Sequence, residues 1–284
     1  MHIPVHFPGF PGSYALVADR DAPDGAVMFV HGFGGDSVDT WQQLQTLIED
    51  PRHAAAFQGL DLFFYDYPST RYSIKDAAER FGRFVRQMLE EGPLASALAG
   101  RTLPGLSVPK ASNRGYPAVL LVGHSLGGVI VRKLVVGLAK ASPRGPDGPV
   151  WPIALGRRPR LFAPAHAGFL HGDVASLLAS LTRPSAALFA LWRIKRARAY
   201  ADLQAGNPVL TSLRDQTIDL ATRHADCPAF RAVVLWGRDE NVVFNDDYPA
   251  DDTKESVAGR DHRSVCKPAH DYPLPLEFIR DGMA

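Results

Sequence analysis

Cysteine is scarce: Cys227 and Cys266 are the only two in 284 residues. Two thiols make no disulfide framework of the kind that staples small secreted folds, so reduced thiols in a cytosolic protein are expected. No apolar run approaches the roughly 18 residues of a spanning helix, and none is expected. The opening Met1-His2-Ile3-Pro4-Val5-His6 lacks the charged and apolar regions of a secretory signal. Charge of one sign is not in excess either. The formal net charge is +1, no long basic stretch is interleaved with aromatics, and a nucleic-acid partner is not expected. Internal repeats are absent. What remains is the expectation of a soluble, cytoplasmic chain forming one domain over 1–284, long enough to bury a substantial core.

The residues present are organised around Gly123-His124-Ser125-Leu126-Gly127-Gly128, a G-x-S-x-G pattern. Before it, 118–122 is a short apolar run of β-formers, the mark of a buried strand. After it, 129–140 is apolar at Val129, Ile130, Leu134 and Leu138, which is helical spacing. Strand, sharp turn and helix predict a nucleophile elbow that presents the Ser125 hydroxyl at a helix N-terminus.

Other apolar runs repeat the design. The run 26–30 leads into His31-Gly32-Phe33-Gly34-Gly35-Asp36, a glycine-rich loop with neither G-x-G-x-x-G nor the lysine of a P-loop. It reads as an oxyanion loop, with the amides of Phe33 and Leu126 as the two donors. Thr40, with Gln43 as its capping-box partner, is expected to open a helix to about 49. Strand runs at 60–65, 160–163 and 230–236 and helices at 74–91, 209–223 and 274–280 follow, and 13–18 reads as an edge strand. The segments 92–117 and 142–158 read as Gly/Pro-rich connectors. Residues 170–206 read as a helical cap, with helices broken at Pro184 and a basic, aromatic mix around Trp192. Such a cap suits a lipid or acyl ester and leaves peripheral membrane contact open.

Alternating strands and helices predict an α/β fold with a mostly parallel sheet, covered by helices on both faces. Its strand ends would gather Ser125, the glycine loop, His166, Asp239, Glu240 and His262. Serine needs a neighbouring base, histidine serves near neutral pH, and a carboxylate fixes the imidazole. His262 is the expected base; Asp239 and Glu240 are both candidates for the acid. His31, Gly32, His124 and His166 are expected to line the substrate site. No metal or organic cofactor is implied. The predicted chemistry is ester hydrolysis through an acyl-enzyme on Ser125. Acyl transfer, thioester hydrolysis, or ligand binding without catalysis on the same fold are the alternatives.

Several of these segments resemble one branch of the α/β-hydrolases. His31-Gly32-Phe33-Gly34-Gly35 with Thr40-Trp41 beyond it is similar to the H-G-x-G-G…T-W signature of proteins related to the GPI inositol-deacylases and the mitochondrial serine-active-site lipase-like proteins. Pro164-Ala165-His166-Ala167-Gly168 resembles their T-P-H-x-G segment, with Ala163 and an inserted Ala165 as departures. The stretch 203–210 is like their segment before a helix, with Asn207 where serine is usual. Asp261-His262-Arg263-Ser264-Val265-Cys266-Lys267-Pro268 resembles their D-H-x-S-I-C-K-P motif. The resemblance implies Ser125 as nucleophile and His262 as base, and their G-x-x-D-x-x-V register falls on Glu240 rather than Asp239.

Overall fold

A computed structural model describes residues 2–20, 22–93, 115–141, 156–170 and 197–284. Most of the connector regions 92–117 and 142–158 and of the cap at 170–206 therefore lies outside the described residues. The strands are β1 (His2–His6), β2 (Tyr14–Ala18), β3 (Gly25–Val30), β4 (Leu60–Tyr65), β5 (Val119–His124), β6 (Arg160–Phe162), β7 (Val233–Leu235) and β8 (Asp252–Thr253). Among the described residues they form one sheet in the order β1-β2-β4-β3-β5-β6-β7-β8. The pairs β1–β2 and β2–β4 are antiparallel, and every other pair is parallel.

The helices are α1 (Ser37–Ile48), α2 (Pro51–Phe57), α3 (Ile74–Glu90), α4 (Leu126–Ala141), α5 (Arg198–Asp202), α6 (Pro208–Arg223) and α7 (Leu274–Met283). One group, α3, α4 and α6, packs together on one face of the sheet; α1, α2 and α7 pack together on the other. Strands β3, β4 and β5 are therefore buried at every position, which is why their sequences are continuous apolar runs rather than alternating ones. Register turns sequence into packing here. Tyr14 and Phe29 are each the cross-strand partner of Phe64, and the three rings stack at 4.8 and 4.7 Å.

Several boundaries differ from expectation, each for a local reason. Strand β2 is interior, because β1 pairs outside it; Pro4 is tolerated there since β1 is the edge. Helix α1 starts at Ser37 rather than Thr40, because the Asp36 carboxylate accepts from both the Val38 and Asp39 amides at 2.8 and 2.7 Å. Pro228 opens a 3-10 turn (Pro228–Phe230) that removes Phe230 from β7. The parallel strands place the loops after β3, β4, β5, β6 and β7 at one edge of the sheet, where ligands of such folds bind.

Candidate active site

The elbow between β5 and α4 is built from close backbone contact. Ser125 has φ 54°, a left-handed conformation that a residue with a Cβ adopts only under constraint. The constraint is visible: its amide donates to the Phe162 carbonyl at 3.0 Å, and its carbonyl accepts from the Gly128 and Ala165 amides at 3.0 and 3.2 Å. A Cβ at Gly127 would lie 2.1 Å from the Val30 carbonyl oxygen, so α4 can press on β3 only where there is no side chain. Gly32 is equally tight; a Cβ there would sit 2.8 Å from Ser125 Cβ. The glycine loop thus lies directly against the serine.

His262 reaches the serine from a loop after β8. Its Nε2 is 2.9 Å from Ser125 Oγ, and its Nδ1 is 2.9 Å from Glu240 Oε2. The other oxygen of Glu240 accepts from the Val242 and Val243 amides at 2.9 and 3.1 Å, which holds the carboxylate in place. Serine, imidazole and carboxylate form one hydrogen-bonded line, and both the His262 and Glu240 side chains are buried. Asp239 takes a different part. It is exposed, and its backbone amide donates to the Arg260 carbonyl at 3.0 Å, joining the acid loop to the histidine loop. Gly237 permits that junction, since a Cβ there would lie 2.2 Å from the same carbonyl oxygen.

The Asp261–Pro268 segment is rigid by its own chemistry. Asp261 Oδ1 accepts from the Arg263 and Ser264 amides and from Ser264 Oγ, at 3.1, 2.8 and 2.6 Å. Partial burial pushes the Asp261 carboxyl up, but the bonds from Ser264 and Arg263 outweigh it and hold the group below the usual carboxylate range. Cys266 is buried, and burial pushes its thiol up to about 12, so it is an inert packing residue.

The remaining expected positions divide. The Leu126 amide opens α4 and, like that of Phe33, donates to no protein group among the described residues, so both are free to serve a ligand. His124 does not line an open surface. It is buried, its Nε2 donates to the His262 carbonyl at 2.7 Å, and the two rings lie 5.0 Å apart. Desolvation, with the neighbouring His262, drops its pKa to about 3, so it stays neutral. His31 anchors the glycine loop. It is 0% exposed, bonds the Gly32 carbonyl through Nδ1 at 2.9 Å, and stacks on Tyr67 at 4.5 Å. His166 is held in a similar way. It is buried against Tyr248 and donates to the Asp246 carbonyl, with burial the main cause of a pKa well below the ordinary value.

Residues without a sequence motif complete the surroundings. Ser69 Oγ accepts from the Gly34 amide at 2.9 Å and fixes the glycine loop from the β4 side. Phe33, Phe169 and Tyr200 form an aromatic row, with centroids 6.1 and 5.9 Å apart. Among the described residues no three His, Cys, Asp or Glu side chains gather into a metal-binding group. No helix among them is long and apolar enough to cross a membrane.

The model of the alpha/beta hydrolase family matches residues 27–275, which takes in the elbow, the acid loop and the histidine loop. The chain belongs to the α/β-hydrolase family. None of the curated proteins matches it in sequence. Solved α/β-hydrolases are similar in fold at low identity. The Pyrococcus furiosus esterase Pf2001 aligns at 11% identity over 100% of this chain and 93% of its own, with TM-score 0.51. YbtT, a type II thioesterase of yersiniabactin biosynthesis, aligns at 13% identity over 95% and 96%, with TM-score 0.50. Phospholipase PlaB of Legionella pneumophila aligns at 20% identity and TM-score 0.47 over 76% of this chain, which spans only 39% of PlaB.

Proposed function

We propose that this α/β-hydrolase cleaves carboxylic esters through an acyl-enzyme on Ser125. One observation carries the reading: the unbroken line Ser125 Oγ–His262–Glu240, with both bonds at 2.9 Å. In the proposed reaction Ser125 Oγ attacks the ester carbonyl carbon while His262 Nε2 takes its proton. Glu240 holds the Nδ1–H and balances the imidazolium. The Phe33 and Leu126 amides receive the negative charge on the carbonyl oxygen; one such donor is typically worth about 3–4 kcal/mol. As the C–O bond breaks, His262 returns the proton to the departing alcohol. Water then attacks the acyl carbon, gives its proton to His262, and the acid leaves as Ser125 regains its hydrogen.

The apolar face of Phe33, Phe169 and Tyr200 beside the glycine loop supports an acyl or lipid ester as substrate class. The likeness of Asp261–Pro268 to the inositol-deacylase motif supports a place near that branch. We also take the chain as a single domain acting in the cytoplasm, with a cap at about 170–206. The test is a chain-length series of p-nitrophenyl esters, with free acid and transferred acyl product measured separately. Turnover that yields free acid and vanishes in Ser125→Ala is the expected outcome. Product appearing only on an added alcohol or amine acceptor makes the protein an acyltransferase. Activity confined to thioesters makes it a thioesterase.

A further inference from the structure

An arginine-lined hollow lies on the side of the glycine loop that faces α3. A cavity of about 600 Å³ opens between the β4–α3 loop, the first turns of α3 and the start of α5, and Thr70, Arg71, Tyr72, Arg80, Arg83 and Arg198 line it. Its rim is linked to the glycine loop through one hydrogen bond. Thr70 follows Ser69, which holds the Gly34 amide, and Gly34 belongs to the loop packed on Ser125. Its far wall is fastened too. The Ile74 amide donates to Asp202 Oδ2 at 2.9 Å, so α5, which carries Arg198, is tied to the start of α3.

The charge in this hollow is unbalanced. Four guanidiniums share it with two carboxylates, Asp76 and Glu79, and Glu79 faces Lys75 at 3.9 Å. Among the described residues none of the four arginines has a carboxylate within ion-pair distance. An ordinary solvated helix face spreads its cations; here they come from a loop and two helices into one concavity. Arg80 is also pre-set. Its guanidinium lies over the Tyr72 ring at 4.1 Å, a stacking that fixes the plane and leaves the N–H edges open. Convergent arginines with open edges repel one another until a multiply charged oxyanion accepts from them, and phosphate has the geometry for it.

We propose that this cavity is an anion subsite, and that the ester cleaved at Ser125 carries a phosphate group on the part of the molecule lying toward α3. The inference rests on the hydrolase reading above and names its substrate class. A soluble phosphate ester and the head group of an anionic lipid present the same chemistry.

The experiment compares matched esters: a short-chain monoacylglycerol, the same compound with a 3-phosphate, and a long-chain acylglycerol phosphate in phosphatidylcholine vesicles. A kcat/KM for one of the phosphate esters about tenfold above the neutral ester at low salt, and shrinking as salt rises, is expected. Arg80→Gln and Arg198→Gln should each lower that advantage about tenfold while the neutral ester is cleaved as before. Preference for the soluble or the vesicle-bound phosphate identifies the source. Equal kcat/KM for phosphate and neutral esters, or arginine variants that slow both alike, overturns the subsite and leaves the hydrolase reading intact. If no ester is cleaved, the hydrolase reading falls, and calorimetry on Ser125→Ala decides the subsite by itself. Binding of the soluble phosphate ester that weakens in Arg80→Gln supports it; no binding overturns it.

Discussion

Glu240 and Asp239 are neighbours, yet only one side chain meets the imidazole. The Glu240 carboxylate is clamped by two amides and by His262, whereas Asp239 turns outward and lends only its backbone. Glu240→Gln should therefore lower kcat by roughly a thousandfold or more, because the imidazole loses its orienting charge. Asp239→Asn should leave kcat within about twofold, as surface changes generally do. The reverse ranking in steady-state assays would show that the acid loop is arranged differently in solution. His124 acts at one remove. Its bond to the His262 carbonyl holds the backbone from which the base projects, and burial keeps it neutral across working pH. His124→Leu deletes the donor and should cost up to about tenfold in kcat with KM unchanged. His124→Gln keeps an N–H that can reach the same oxygen and should restore most of the loss. If Gln is as impaired as Leu, His124 fills space and does not position the base.

At the scale of elements, the elbow depends on how closely α4 approaches β3. Gly127→Ala would place a methyl 2.1 Å from the Val30 oxygen, so helix and strand must separate. Overpacking of this kind costs about 1–3 kcal/mol or more, and the melting temperature should fall by several degrees. A variant that melts and turns over like the wild type would refute that packing. The same elements show what the sequence makes legible. β4 lies at 60–65 and α6 within a residue of the expected 209–223, because fully buried strands and amphipathic helices write their burial into the residue pattern. Asn207 caps α6, with its side chain accepting from the Val209 amide at 2.8 Å, as serine would. What escaped is what tertiary contact decides. β1 carries Pro4 and is largely exposed, α2 is only seven residues long, and β8 is a polar, exposed pair of residues. None carries a periodicity of its own. In the site, the meeting of Ser125, His262 and Glu240 could be expected from chain order and motif. The burial of His31 and His166 could not, since a histidine after a strand reads alike whether its ring is packed or exposed.

For the whole molecule, two buried neutral histidines set a pH dependence of stability. His124 has a folded-state pKa of about 3, and His166 is also depressed. Between the ordinary histidine value of about 6.5 and these lower values, the unfolded chain binds protons that the folded chain refuses. The stability they confer is complete above that ordinary value and is lost as pH falls below it, with a slope of up to about 1.4 kcal/mol per pH unit for each histidine. Urea midpoints should decline from pH 7 to pH 5, and more gently in His124→Gln; identical slopes would mean that His124 is protonated in the fold. The molecule as a whole nevertheless serves one meeting point, to which β3, β5 and the loops after β7 and β8 each bring a part. Fluorophosphonate labelling read by intact and peptide mass tests that convergence most directly. A single adduct on Ser125, abolished in Ser125→Ala and strongly slowed in His262→Ala, is predicted. A folded wild-type protein that takes up no label, or takes it up equally without the Ser125 hydroxyl, would contradict it.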